Sequence, residues 1–158
     1  MAWLFLVLLP LLAVAALFVL AHHSRGIAPA YGLEAGRLRP CPDTPNCVSS
    51  EPGTPPGQRV EPLASGAGPP RAAWSAFRDA VEAAGGEPVL ESEGYLAATF
   101  RSPLFGFVDD LEARLDRETG VIHVRSASRV GRSDLGANRA RIERIAGLLD
   151  AGRGGENG

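Results

Sequence analysis

The chain has 158 residues, of which 45% are hydrophobic, and its 16 basic and 18 acidic side chains give a formal net charge of −2. This length allows one domain, and a charge so close to neutral gives no general attraction to nucleic acid. Every basic side chain is arginine, which excludes Schiff-base and general-base chemistry by lysine.

The first 24 residues form a predicted membrane segment, because Ala2 to Ala21 contains no charged side chain. Twenty such residues in a helix span about 30 Å, which matches the hydrocarbon core of a bilayer. The apolar run ends in a polar flank of His22, His23 and Arg25. We therefore predict a transmembrane anchor over residues 1–24, with a signal peptide cleaved after Ala21 as the alternative.

Two signals disagree about the side of the membrane on which the rest of the chain lies. Arg25, Arg37 and Arg39 follow the apolar run, and by the positive-inside tendency they favour a cytoplasmic domain. The two cysteines favour an oxidising compartment instead. We predict a membrane-associated, single-pass protein whose soluble part is periplasmic or otherwise extracytoplasmic.

Cys41 and Cys47 are separated by a short segment that contains two prolines, an aspartate and an asparagine. These turn-forming residues bend the chain and bring the two thiols together. In an oxidising compartment, a Cys41–Cys47 disulfide is the expected state. The alternatives are a zinc site, for which the sequence offers few further ligands, and a catalytic thiol, for which it offers no convincing base.

The remaining chain divides into three predicted parts. Residues 25–70 are expected to be a linker that carries the cysteine loop, because residues 51–70 are rich in proline and glycine. Residues 71–150 are expected to fold as the domain. Residues 151–158 are polar and rich in glycine, which predicts a disordered tail.

Six elements are predicted around this domain. Trp74, Phe77 and Val81 lie on one stripe at spacings of three and four, which predicts a helix over residues 70–84. Alternating patterns and turns predict strands over residues 88–91, 95–101, 107–116 and 121–127. A second stripe predicts a helix over residues 134–150. We therefore expect an α+β fold, a two-layer sandwich in which a four-stranded antiparallel sheet carries two helices on one face.

Three stretches of the chain, in order, resemble one known family: residues 41–50, 101–110 and 125–139. They run Cys-Pro-Asp-Thr-Pro-Asn-Cys-Val-Ser-Ser, Arg-Ser-Pro-Leu-Phe-Gly-Phe-Val-Asp-Asp and Arg-Ser-Ala-Ser-Arg-Val-Gly-Arg-Ser-Asp-Leu-Gly-Ala-Asn-Arg. The resemblance is to domain of unknown function 1499 (DUF1499), and it extends from about Leu38 to Leu149. It implies no activity and no catalytic residues, because none is established for the family. It does imply a bacterial protein of the envelope or membrane.

The densest polar cluster lies between the last strand and the last helix. Its candidate anion-binding residues are Arg125, Arg129, Arg132, Ser133, Asn138 and Arg139. A helix N-terminus offers free backbone N–H groups and arginine adds paired donors, which together suit a phosphate or a carboxylate. The sequence therefore predicts a non-catalytic module that binds an anionic ligand, such as a lipid head group, or a partner protein. The alternative role for these residues is structural, in ion pairs and in a cap formed by Ser133 or Asp134.

The alternative function is a small hydrolase or transferase with its site near Asp109, His123 and residues 125–138. Asp109 and Asp110 are neighbours on a predicted strand and point to opposite faces, so they cannot form a paired-carboxylate site. None of the common nucleophile, metalloprotease, dinucleotide or phosphate-loop motifs occurs in the sequence. We therefore expect a protein that is not an enzyme, with no cofactor and no metal, whose partners are the membrane and an anionic ligand but not nucleic acid.

Overall fold

The computed structural model describes residues 2–29, 31–64 and 70–155. Its first element is helix α1, Ala2–Gly26. Within this helix, Leu6–Gly26 is long and apolar enough to cross a bilayer, a property that a signal sequence near the N-terminus shares. The apolar helix that the composition of the N-terminal segment predicts is therefore present.

The part of the chain that follows has an α+β architecture. Its strands are β1 Leu33–Glu34, β2 Arg37–Leu38, β3 Cys47–Ser49, β4 Leu63–Ala64, β5 Glu87–Ser92, β6 Tyr95–Arg101, β7 Val108–Asp116 and β8 Val121–Ser128. Its helices are α2, Pro70–Ala83, and α3, Ala137–Gly155. β1 and β2 form a separate two-stranded ladder.

The main sheet is antiparallel and places β3, β8, β7, β6 and β5 side by side. The four predicted strands correspond to β5 through β8, and their bounds agree to within one residue. The predicted count of four is nevertheless wrong, because β3 and β4 pair with the outer edge of β8. Both lie in residues 25–70, so part of the predicted linker belongs to the folded unit. Such short strands show no periodicity of their own and form only by pairing with a distant strand.

The main core lies between the sheet and helices α2 and α3. Phe77 of α2 and Ile145 of α3 lie in one buried cluster with Leu96, Leu111 and Val124 of the sheet. The cluster takes every second residue of a strand, such as Leu111 and Ala113 of β7, because successive side chains point to opposite faces of a sheet. Burial of this cluster is the main apolar contribution to the stability of the domain.

The opposite face of the sheet is also covered. Its strand positions on β7 and β8 are mostly charged, and we call them the ionic face: Asp110, Glu112, Arg114, His123 and Arg125. All of them are buried or half-buried, and residues of the N-terminal part of the chain, among them Tyr31, Gly32 and Glu51, contact this face. Leu38 packs there with Tyr95 and Ala97, and Tyr31 joins this second cluster. The expected two-layer sandwich of one sheet and two helices therefore omitted a further layer, which the N-terminal part of the chain forms.

Helix α3 begins three residues later than predicted. Leu135 and Gly136 have φ angles of 54° and 85°, so the right-handed helix cannot start before Ala137. Asp134 still caps it, since its carboxylate accepts hydrogen bonds from the N–H groups of Gly136 and Asn138 at 3.1 and 2.8 Å. The helix continues to Gly155, beyond the predicted end, because no proline stops it. The predicted tail is thus partly helical, and residues 156–158 lie outside the described residues.

Candidate functional site

Strand β7 separates its two adjacent aspartates onto opposite faces of the sheet. Asp109 Oδ2 lies 2.6 Å from Arg141 Nη2 of α3. Asp110 instead contacts Arg129 on the ionic face. The two carboxylates therefore cannot act on one bound molecule as an acid and base pair.

The first group on the ionic face is centred on Asp110. Arg129 donates to both of its carboxylate oxygens, from Nε at 2.9 Å and from Nη2 at 2.8 Å. The Tyr31 hydroxyl donates to the same carboxylate at 2.7 Å. Burial, together with this hydrogen bond to Asp110, raises the pKa of Tyr31 well above its ordinary value. The hydrogen bonds to Asp110 also raise the pKa of Arg129, so both donors remain protonated.

The second group is centred on Glu112, which is almost fully buried. It accepts hydrogen bonds from the Tyr95 hydroxyl at 2.5 Å and from the Gly32 N–H at 3.1 Å. Arg125 Nη1 lies 3.5 Å from the other oxygen. Burial lowers the pKa of Arg125 from its ordinary value, and its Nε has no hydrogen-bond partner among the described residues. Arg125 thus neutralises a buried acid rather than facing solvent.

The third group connects the N-terminal segment that covers the ionic face to the sheet. Arg114 Nε and Nη2 lie 2.5 and 2.9 Å from the two carboxylate oxygens of Glu51, and the Leu38 N–H donates to the same carboxylate at 3.0 Å. Burial acts to raise the pKa of Glu51, but the hydrogen bonds from Arg114 and Leu38 outweigh it and hold that pKa below its ordinary value.

A separate polar cluster lies on the helix side of the sheet, around Asn138. This side chain is fully buried. Its amide accepts a hydrogen bond from Ser126 Oγ at 2.7 Å and donates to the Asn46 carbonyl at 3.0 Å. Arg141 joins the cluster through Ser126 and also covers the ring of Phe100, 4.5 Å from its centroid. Because every polar group of Asn138 has a partner, the cluster fixes the start of α3 against the cysteine loop.

The structure divides the six candidate anion-binding residues instead of gathering them into one pocket. Arg125 lies on the ionic face and Arg129 contacts Asp110 of that face, whereas Asn138 lies on the helix side. Arg139 donates to the carbonyls of Arg59 and Gly57 at 2.9 and 3.1 Å. The two remaining candidates, Arg132 and Ser133, are exposed in the loop before α3. Anion binding by these residues stays a prediction.

The predicted disulfide is present between Cys41 and Cys47, whose Cα atoms are 5.7 Å apart. The loop that it closes packs against the β8–α3 loop, which we define as residues 129–136. Asn46 Nδ2 donates to the Gly131 carbonyl at 2.7 Å. The cysteine loop therefore supports the segment that carries Arg132.

His123 has a neighbour that the sequence did not suggest. Its Nδ1 lies 3.3 Å from Ser50 Oγ, and its Nε2 lies 4.0 Å from Asp116 Oδ2. Ser50 Oγ, however, already accepts a hydrogen bond from the Val124 N–H at 2.8 Å. Ser50 and His123 are both buried. The two residues meet because β3 pairs with β8. A strand as short as β3 has no sequence pattern from which this pairing could be predicted.

Two concave surfaces of the described chain lie elsewhere. One, of about 420 Å³, runs between α3 and residues 60–63 and includes Arg139. The other, of about 400 Å³, lies beside the β1–β2 ladder and includes Cys41 and Glu51. Asp109, Ser50 and His123 line neither. Within residues 2–29, 31–64 and 70–155, no three His, Cys, Asp or Glu side chains are grouped so that they could hold a metal ion.

The end of α1 is packed against the sheet at the β6–β7 loop, residues 102–107. Ala21 and Ser24 have no exposed surface, and Ser24 Oγ accepts a hydrogen bond from the Val108 N–H at 3.1 Å. Arg25 donates to the carbonyls of Phe105 and Gly106 at 3.0 and 3.3 Å. Composition predicted the helix but gave no sign of this packing.

Comparison with known proteins agrees with the three sequence signatures. The family described as "Protein of unknown function (DUF1499)" matches residues 37–149. This stretch contains the ionic face, the Asn138 cluster and the β6–β7 loop. No curated protein and no solved structure matches the chain. The chain belongs to the DUF1499 family.

Proposed function

We propose that the protein is a single-pass membrane module of the cell envelope whose folded part binds an anionic ligand and catalyses no reaction. The observation that carries the anchored part is the buried packing of Ala21 and Ser24 against the sheet. A signal peptide that is removed needs no fit to the mature domain. This packing therefore favours retention of α1 as the anchor.

The binding part of the proposal centres on Arg132 and Ser133. Arg125 and Arg129 already have carboxylate partners. The backbone N–H of Asn138, near the start of α3, already donates to the Asp134 carboxylate. Arg132 is exposed, and within the described part of the chain it has no hydrogen bond or ion pair. Arg129, at the start of the same loop, then supports the segment that presents Arg132.

The position of this loop favours a lipid head group as the ligand. The Arg129 N–H donates to the Val108 carbonyl at 3.3 Å, and Arg129 Nη1 donates to the Ile27 carbonyl at 2.8 Å. The loop therefore starts at the end of the sheet where α1 leaves the domain. A cation there lies at the height of the head groups, where an arginine can donate paired hydrogen bonds to a lipid phosphate.

Native mass spectrometry of the full chain in detergent tests this binding. We expect the chain to retain phosphatidylglycerol in preference to phosphatidylcholine. Arg132→Ala should reduce that retention, whereas Arg117→Ala, which removes an exposed arginine from the opposite end of the sheet, should not. Binding of glycerol 3-phosphate in place of the lipid would identify a soluble phosphate ester as the ligand. Retention that is the same for both lipids and for both variants would refute an anion site at Arg132.

The alternative, a small hydrolase or transferase, rests on the distance of 3.3 Å between Ser50 Oγ and His123 Nδ1. It is the weaker candidate, because a nucleophile must reach its substrate and Ser50 is buried away from both concave surfaces. A fluorophosphonate probe distinguishes the two functions. We expect no labelling of the wild type; labelling that Ser50→Ala abolishes would establish the enzyme instead.

The disulfide supports an extracytoplasmic position for the folded part, since disulfides persist in oxidising compartments. Alkaline phosphatase, which is active only outside the cytoplasm, can be fused after Gly158 to test this position. We expect an active fusion and an intact mass that includes α1. An inactive fusion would place the domain in the cytoplasm, and a mass that lacks residues 1–21 would remove the anchor.

A further inference from the structure

We propose that the β6–β7 loop enters the surface of the bilayer beside α1, so that the domain lies directly on the membrane. The inference rests on the retention of α1, which is part of the proposed function. It goes beyond that function by assigning a second membrane contact, made by Leu104 and Phe105, to the folded part of the chain.

The first observation is a contact at membrane depth. The rings of Phe105 and Phe18 pack edge to face with their centroids 5.1 Å apart. Phe18 precedes the polar flank that starts at His22 by about one helical turn, or roughly 5 Å along the axis. Because α1 fixes the depth of Phe18, the ring of Phe105 lies at the boundary between head groups and hydrocarbon.

The second observation is the exposure of apolar side chains at this end of the domain. Leu104 is 73% exposed and Leu135, in the β8–α3 loop, is 98% exposed. Outside α1 these are the two most exposed large apolar side chains of the described residues. Burial of a leucine in an apolar phase contributes about 1.5–3 kcal/mol relative to water. A bilayer surface offers that phase next to α1.

The third observation is that the loop satisfies many of its own backbone groups, as any segment entering lipid must. The Gly106 N–H donates to the Ser102 carbonyl at 3.0 Å, and the Phe107 N–H donates to Ser102 Oγ at 3.0 Å. Arg25 occupies the carbonyls of Phe105 and Gly106. The apolar tip can therefore leave water without stranding these polar groups.

Gly106 makes this arrangement specific. Its φ angle of 73° is left-handed, and an added Cβ would overlap the guanidinium of Arg25. Gly106→Ala should thus push the Arg25 guanidinium away from the carbonyls of Phe105 and Gly106 while leaving the core untouched. It provides a variant in which the domain remains folded and anchored but the two loop carbonyls lose their donors, which makes entry of the loop into lipid less favourable.

Quenching of a single added tryptophan by brominated lipid measures the depth of the loop. The measurement uses the full-length protein in brominated phosphatidylcholine vesicles. Trp3→Phe removes the native tryptophan of α1. The signal of the added tryptophan is the difference in fluorescence between the Trp3→Phe protein with and without Leu104→Trp. We expect a clear loss of fluorescence from Leu104→Trp, because a side chain at the boundary of head groups and acyl chains comes within reach of the bromine atoms. Glu118→Trp, in the turn at the far end of the sheet, should be unquenched.

Two further results test the membrane contact of the loop separately from the membrane anchor. Adding Gly106→Ala should reduce the quenching of Leu104→Trp without changing the circular dichroism spectrum. If the protein stays in the membrane after carbonate extraction but Leu104→Trp is as unquenched as Glu118→Trp, the loop does not enter the bilayer and the anchor stands. If carbonate releases the protein, the anchor and this inference both fail.

Discussion

Buried charges on the ionic face are arranged in pairs whose members cannot be removed singly without cost. Arg129 and Asp110 make two parallel hydrogen bonds, and each side chain is only about one-tenth exposed. Taking charges out of water is costly, so such a pair adds little net stability when it is intact. Loss of one partner leaves the other as an unpaired buried charge, which is strongly unfavourable.

Arg129→Ala should therefore destabilise the domain by about 3–5 kcal/mol. Arg132→Ala, three positions away but exposed, should change the stability by no more than about 0.5 kcal/mol. Chemical denaturation of the two variants, followed by circular dichroism, measures both. Equal and small effects would mean that Asp110 is solvated and that the ionic face is not buried in solution.

The Glu51–Arg114 pair should make the stability depend on pH. The folded state holds the pKa of Glu51 below its ordinary value, so the pair stabilises the fold above the unfolded pKa of about 4.3. This stabilisation is lost as the pH falls through the lowered folded-state pKa. The Tm difference between the wild type and Glu51→Gln should be large at pH 7 and should shrink toward pH 3. Glu118→Gln, an exposed control, should show a small difference at both pH values.

At the scale of the elements, strands β5 to β8 can be predicted from local sequence, whereas the segment that covers the ionic face cannot. The alternation of β6 through β8 is visible because each strand contains at least seven residues. β3 and β4 have three and two residues, and long-range pairing with β8 creates them. Alternating charges such as those of Glu112 and Arg114 usually mark a solvated face. The sequence therefore could not predict that Gly32 and Glu51 would contact these charges, nor that Ser50 would lie next to His123.

Loss of the Cys41–Cys47 disulfide should also affect a segment that lies far from it in the sequence. Replacement of both cysteines by serine should destabilise the domain by about 2–3 kcal/mol in the chain-entropy model. It should also loosen the β8–α3 loop, because Asn46 holds Gly131. Denaturation with and without reductant measures the first effect, and hydrogen exchange in residues 129–136 measures the second. A wild type that is as stable reduced as oxidised would show that the bridge does not constrain the chain.

At the scale of the whole molecule, α1 and the domain form one packed unit instead of a domain on a flexible tether. Ser24 accepts the hydrogen bond from the Val108 N–H at the first residue of β7, and Arg129 of the β8–α3 loop reaches the Ile27 carbonyl. The end of α1 and the residue that follows it thus contact both loops at one end of the sheet. If the domain binds the membrane as proposed, this geometry lets the exposed side chains of Leu104 and Arg132 reach the same lipid surface.

Ser24→Ala should reveal this coupling, because it strands the buried N–H of Val108. An unsatisfied buried donor costs about 1–3 kcal/mol, which should appear as a loss of stability and as faster hydrogen exchange at Val108. His22→Ala, on the exposed side of the same turn, should change neither quantity. Identical exchange at Val108 in both variants would show that α1 and the sheet move independently, and the domain would then be free to rise from the membrane. Faster exchange confined to Ser24→Ala would tie the position of β7 directly to the depth of the anchor.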